Sequence, residues 1–255
     1  MIKGKNMENK EENIVFGRHA VFEALQQGKG DKLFVQQELK GEKIQQILAK
    51  AKEKKVPVVK QPKANLEKMA EKGNHQGVVL RTTPFAYADF VSTVKAICEQ
   101  KEDPFFLILD RIEDPHNLGS ILRTCDATGV DGVIIPKHRA CGITPIVAKT
   151  STGAIEHVPV MRVTNLTQAV KKLKDEGFWI FGTDMQGSDY RSWNVSGKVA
   201  LIIGNEGKGM QATLKKEVDE LLTIPMVGHV QSLNASVASG LLLYEMYRFR
   251  HPLGK

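Results

Sequence analysis

"VALIIGNEGKGM", Val199 to Met210, is the stretch that decides the fold class. It opens with five apolar residues and no polar alternation, which fits a strand buried on both faces, as in a helix-covered parallel sheet. Gly204, Gly207 and Gly209 then crowd into the loop that follows. Glycines at a strand end permit unusual dihedrals and let a ligand come close to the backbone. Familiar phosphate loops do not match the spacing: a Walker loop needs GxxxxGK[ST], but Lys208 is followed by Gly209. The dinucleotide fingerprint GxGxxG occurs only in reversed order. Glu206, a carboxylate among these glycines, is either a solvated loop acid or a site residue.

Outward from this stretch the same signature recurs. "FFLILD", "GVIIP", "VPVMRV", "FWIFGTD" and "LLTIPM" are short apolar runs, separated by the helical stretches "LGSILRTCDATG", "NLTQAVKKLKDEG" and "QATLKKEVDE". Together they predict an open, mostly parallel six-stranded α/β sheet, in which ligands bind beyond the carboxyl ends of the strands. Two more strand-end loops stand out. In "DRIEDPHNLGSILRTCDATG", Asp110 ends a strand, Pro115 breaks the chain, and Asn117 either caps a helix or faces a cleft. Arg123 follows within two helical turns, so both side chains can reach one cleft. In "TIPMVGHVQSLNASVASG", Ser232 and Asn234 open the final helix, as caps or as site residues. The small residues after them predict close approach of a neighbouring backbone.

Residues 13–83 form a smaller α/β unit. "GRHAVFEALQQ" and "GEKIQQILAKAKEKK" carry helical periodicity, and "KLFVQQ", "VPVVKQ" and "GVVLRTT" read as strands. "NLEKMAEKG" predicts a short helix with Asn65 as N-cap and Gly73 as its stop. Residues 1–12 read as a disordered tail. The pattern breaks at "PFAYAD", which places a linker and leading helix at 84–103 and a second domain at 104–255.

Charge divides the chain the same way. Residues 1–90 hold 17 Lys and Arg against 11 Asp and Glu, and residues 91–255 hold 19 against 18, so nearly all of the net +7 lies in the first third. A basic module beside a near-neutral one suggests a polyanion-binding domain joined to another. The start of the chain lacks a signal-peptide core, and no apolar run approaches a membrane span. Cys98, Cys125 and Cys141 fit no metal spacing and read as reduced cytosolic thiols. The histidines lack HxH or HExxH spacing, so no metal is expected.

Taken in order, "NLGSILR", "IIGNEGKGM" and "IPMVGHVQSLNASVASG" resemble the three motifs of the SpoU/TrmH family of RNA ribose 2′-O-methyltransferases. "FGRHAVFEAL" and "NHQGVVL" resemble the start and end of the small, ribosomal-protein-L30e-like substrate-binding domain of its two-domain members. "DPHNLGSILRTCDATGVDGVI" is most similar to the enzymes that methylate a guanosine ribose in large-subunit (23S) rRNA. The resemblance implies a SPOUT domain whose C-terminal segment is threaded into a deep trefoil knot. It also implies S-adenosylmethionine as methyl donor, RNA as partner, a homodimer and a cytoplasmic location.

Carried over residue by residue, Asn117 and Arg123 match the first motif, with Arg123 as its catalytic arginine. Glu206 matches the acid of the second, and Ser232 and Asn234 the polar pair of the third. Cofactor contacts are expected at Gly204, Ile224 and Leu233, with Thr183, Gly207 and Met226 as neighbours. Relatives act on tRNA or on an rRNA adenosine, and a copy without turnover would be an RNA-binding or assembly protein. The intact set of motif residues argues against the last of these.

Overall fold

The computed structural model describes residues 14–253 except 27, 72 and 231, so the tail at 1–12 lies outside the described residues. The chain divides into two compact units, Met1–Phe85 and Ala86–Lys255.

The first unit runs β1 (Ile14–Phe16), α1 (Arg18–Gln26), β2 (Gly30–Gln36), α2 (Glu42–Glu53), β3 (Val58–Gln61), α3 (Lys63–Met69) and β4 (Val78–Thr82). Its four strands take the order β1-β4-β2-β3, with only β2 and β3 parallel. Side chains alternate across a strand, and here both faces are covered. Leu33, Val35, Val78 and Leu80 meet Val21, Leu25, Ile44 and Ile47 of α1 and α2. Phe34 and Val79 meet Leu66 and Ala70 on the α3 side.

The expected cap of α3 is displaced. Pro62 occupies the N-cap position, and Asn65 lies inside the first turn, donating through Nδ2 to Gln61 Oε1 at 2.8 Å. Proline pre-sets the entry angle and needs no donor there. Gly73 lies beyond the helix end at Met69, and a Cβ on it would come within 2.5 Å of the Phe16 ring. Its smallness serves that contact.

The second unit runs α4 (Phe90–Gln100), β5 (Phe105–Leu109), α5 (Pro115–Thr128), β6 (Gly132–Pro136), α6 (Pro145–Thr150), β7 (Val160–Val163) and α7 (Leu166–Asp175). It continues through β8 (Trp179–Asp189), β9 (Val199–Ile203), α8 (Ala212–Lys215), β10 (Glu220–Thr223) and α9 (Ala235–Arg250). The six-stranded sheet has the order β10-β8-β9-β5-β6-β7, and every pair is parallel. All residues of β5, β6 and β9 are buried, as continuous apolar runs require. Ile108, Ile134, Ile180 and Ile202 form one core with Val170 and Leu173 of α7 and Val94 of α4. The leading helix α4 therefore belongs to this unit's core, and Asp89 caps it by accepting from Ser92 N at 3.0 Å.

Three elements differ from the sequence expectation. The stretch "QATLKKEVDE" forms only the short α8, because Leu214 is its one buried anchor and the chain must turn to enter β10. β8 runs on to Asp189, with Gly187 so close to β10 that a Cβ would lie 2.5 Å from the Leu221 carbonyl carbon. The short α6 begins with a Thr144 cap and Pro145, a start signal present in the sequence. Among the described residues no helix is long and apolar enough to cross a membrane.

Candidate active site

All six strands point their carboxyl ends to one edge of the sheet, and a cleft of about 640 Å³ opens there beyond β8, β9 and β10. Its size is that of a small-molecule site. Thr183, Gly204, Gly207, Ile224, Met226 and Leu233 all line it, together with Glu206 and Ser232. Apolar walls come from Ile203, Leu222, Ile224 and Met226, and polar groups from Asp184 and Lys215.

The glycine loop has two distinct backbone demands. A Cβ on Gly204 would stand 2.5 Å from the Gly209 carbonyl carbon and 2.6 Å from Met210 N. Gly209 has φ +60°, in the left-handed region. Gly207 needs neither freedom, since its φ is not positive and a Cβ there would meet no backbone within 4 Å. Asn205 shapes the loop from within: its Oδ1 accepts from Gly207 N at 3.0 Å and Lys208 N at 3.2 Å.

Glu206, Asn117 and Asn234 meet beside the cleft. Asn117 Nδ2 donates to Glu206 Oε1 at 2.9 Å, and Asn234 Nδ2 donates to Asn117 Oδ1 at 3.0 Å. Ala235 N donates to the same Glu206 oxygen at 2.8 Å. Asn234 is also the N-cap of α9, its Oδ1 accepting from Ser236 N at 2.9 Å and Val237 N at 3.4 Å. Asn234 thus caps α9 and also joins the side-chain cluster beside the cleft.

Asn117 is not a cap. Asp114 takes that place on α5, accepting from His116 N at 2.8 Å, with Pro115 at the first helical position. Arg123 stands apart from the cluster. It is exposed on α5, and its guanidinium bonds to no described residue. Ser232 is exposed at the cleft.

Sequence reasoning gave no role to a second network behind the loop. Asp110, fully buried, accepts from Gln211 N at 2.7 Å and Gln211 Nε2 at 2.8 Å. Arg111 pairs with it at 3.2 Å, donates to Gly209 O at 3.0 Å and accepts from Asn205 Nδ2 through its own carbonyl at 2.9 Å. Arg111 holds φ 60° to make these bonds, a strained conformation for a residue with a Cβ. On the opposite wall, the hydrogen bond from Lys215 at 2.6 Å holds the Asp184 carboxyl below its usual range.

The final helix explains its own small residues in part. α9 lies against α5, where Ala235 and Ser239 are buried and Ser239 Oγ donates to Ala235 O at 2.7 Å. Gly240 is different, for a Cβ there would meet nothing within 4 Å of its own chain.

Comparison with known proteins follows the same division. Residues 104–244 match the SpoU rRNA Methylase family, and residues 14–88 match the domain described as RNA 2′-O ribose methyltransferase substrate binding. A Staphylococcus aureus protein assigned to the TrmH family of tRNA/rRNA methyltransferases is 49% identical over 247 residues, covering 96% of this chain and 99% of that one. A Bacillus subtilis protein of the same assignment is 46% identical over 249 residues, covering 97% and 100%.

Among solved structures, the SpoU methyltransferase AviRb of Streptomyces viridochromogenes, in complex with S-adenosylmethionine, is similar with a TM-score of 0.63. It is 25% identical, and the match covers 97% of this chain and 94% of that one. An S-adenosylmethionine-bound rRNA methyltransferase of Sinorhizobium meliloti is similar with a TM-score of 0.62. It is 27% identical, and the match covers 95% and 88%.

Proposed function

The chain belongs to the SpoU/TrmH family of RNA methyltransferases, and from that premise we propose that it methylates the 2′-hydroxyl of a guanosine ribose in large-subunit (23S) rRNA. S-adenosylmethionine is the methyl donor, and when bound it supplies an electrophilic methyl group on a positively charged sulfur. The residues present fit such a group. The cleft offers apolar walls at Leu222, Ile224 and Met226, and Gly204 closes it so tightly that a side chain there would strike the loop backbone.

A ribose hydroxyl is a poor nucleophile and gives up its proton as it attacks. A guanidinium keeps its own proton at neutral pH, so Arg123 serves as a cation. It holds the phosphate beside the target ribose and offsets charge developing on the oxygen. The hydroxyl proton passes to solvent water as the oxygen takes the methyl group. Its exposed position on α5, with no partner among the described residues, leaves Arg123 available to RNA. Asn117, Glu206 and Asn234 fix the loop and helix start around the cleft, and Leu233 contributes backbone. Ser232 meets the substrate at the rim.

Assignment of the N-terminal unit to RNA rests on its charge and its family match. The chain acts as a homodimer in the cytoplasm. In support of the dimer, α9 exposes Val237, Leu241, Tyr244 and Tyr247, and grouped exposed apolar side chains mark interaction surfaces. The trefoil threading of the C-terminal segment is part of the same reading.

The observation that carries this reading is the hydrogen-bonded meeting of Asn117, Glu206 and Asn234 at a cleft lined by all six expected cofactor residues. Labelled methyl transfer from S-adenosylmethionine to unmodified 23S rRNA and tRNA, with mapping of the labelled ribose, tests it. Label on one rRNA guanosine is expected. Label on tRNA alone moves the substrate to tRNA, and cofactor binding without transfer to either RNA rejects the catalytic reading.

A further inference from the structure

Between Gly132 and Ile155 the near-neutral second unit carries Lys137, His138, Arg139 and Lys149 and no acidic residue. Lys137, His138 and Arg139 are consecutive, all exposed, and the side chains of all three bond to no described residue. They follow β6 directly. Because the sheet is parallel throughout, they stand on the same edge as the cleft. β6 lies two strands from β9, which ends in the cleft, a separation of about 10 Å at the usual strand spacing.

This loop is built to hold its shape. Lys137 N donates to Val163 O at 2.8 Å, and Arg162 Nη2 donates to Lys137 O at 3.1 Å. Cys141 N donates to Ile112 O at 2.8 Å, tying the loop to the segment that leads into α5. Ile143 N donates to the Tyr87 hydroxyl at 2.8 Å, and the Arg162 guanidinium lies 5.2 Å over the Tyr87 ring. α6, just beyond, meets α5 so closely that a Cβ on Gly119 would stand 2.5 Å from Thr150 Cβ. Arg139 sits at φ 58°, a conformation that a residue with a Cβ keeps only when its surroundings impose it.

A pinned loop that presents unpaired cations beside the cleft has no evident task in folding. We propose that the Lys137–Arg139 loop is an RNA-backbone contact of the methyl-transfer unit, taking the phosphates that flank the target nucleotide. The proposal rests on the RNA-methyltransferase reading above. It adds a surface that neither the three motifs nor the N-terminal unit provides. Held in place before binding, the loop backbone loses little freedom when phosphate arrives, and each contact releases counterions from the RNA.

The test is the affinity of the full chain for unmodified 23S rRNA and tRNA transcripts across a salt series, with S-adenosylmethionine affinity measured in parallel. Lys137→Glu/Arg139→Glu is expected to weaken RNA binding at least tenfold near 0.1 M salt. Two lost phosphate contacts on a single strand lower the slope of log affinity against log salt by about 1.4. Arg139→Gly keeps the left-handed backbone while removing the cation, and is expected to give about half that slope change. Cofactor affinity and melting temperature are expected to stay at wild-type values in both variants.

RNA affinity and salt slope unchanged in the double variant would overturn the loop's role while leaving methyl transfer standing. Loss of RNA and cofactor binding together in Arg139→Gly would overturn it in favour of a structural role. A wild-type chain that binds neither RNA would overturn both this proposal and the reading beneath it.

Discussion

Asn117 donates through Nδ2 to Oε1 of Glu206 across 2.9 Å, joining residues 89 positions apart. The same oxygen receives Ala235 N, so one carboxylate fastens the first turn of α5 to the first turn of α9. Glu206→Ala removes the acceptor of both donors. Each such bond contributes about 0.5–1.5 kcal/mol net, and losing the pair is expected to weaken cofactor binding about tenfold by calorimetry. Glu206→Gln keeps an acceptor in place and is expected to stay within a few-fold of wild type. Unchanged affinity in Glu206→Ala would remove the clamp from the account.

Arg123 touches none of that network. Arg123→Ala is therefore expected to leave melting temperature and cofactor affinity within about twofold, as exposed substitutions usually do. Methyl transfer to RNA is expected to fall at least ~100-fold, the usual loss when charge stabilisation is removed. Equal loss of cofactor binding would withdraw its catalytic role.

Asp110 is fully buried and accepts four hydrogen bonds from Arg111 and Gln211. Asp110→Ala leaves Arg111 without its carboxylate in a protected site, a cost of about 3–5 kcal/mol. At roughly 2–4 °C per kcal/mol for a unit of this size, the melting temperature drops by about 6–20 °C. Calorimetric scans of the variant, with and without cofactor, read this directly, and a shift under 2 °C contradicts it.

Asp184 supplies a pH signature. Its hydrogen bond from Lys215 holds the folded carboxyl below the ordinary 3.8. A lowered folded value means the pair's contribution is present above about 3.8 and lost as pH falls through the lower folded value. The cleft wall thus stays intact at pH 5. In Lys215→Met the Asp184 titration, followed by carbon NMR, is expected to move up toward 3.8. Superimposable titrations in the two proteins exclude the coupling.

Leu241 and Tyr244 are exposed on one side of α9. In a homodimer that uses this side, Leu241→Asp/Tyr244→Asp places charge where apolar surface is covered and yields monomers in sedimentation velocity. A monomeric wild type defeats the assignment.

How far the sequence alone reached follows from the range of each interaction. β5 and β9 were readable because burial on both faces leaves an unbroken apolar run that needs no knowledge of the neighbour. α8 was read too long because its lysines and glutamates continue the helical pattern, while only Leu214 is buried to enforce it. The cap alternative for Asn117 arises because asparagine favours that position, although the Asp114-Pro115 pair carries the stronger start signal. Asp110 is the instructive omission. A buried acid declares itself through its partners, and Gln211 lies 101 residues away. The motif residues could be grouped only by resemblance, because no periodicity links Asn117 to Asn234 across 117 positions.

The bond between Asn117 and Asn234 also sets a clock. During synthesis at ~5–20 residues per second, roughly 10–30 s separate completion of the first unit at Phe85 from completion of α9. Through that interval the small basic unit is free to fold, while the cleft still lacks Leu233 and the helix start that Glu206 holds. A newborn chain can therefore engage a polyanion before it can hold a methyl donor. Cofactor binding, arriving last, reports that α9 has been made.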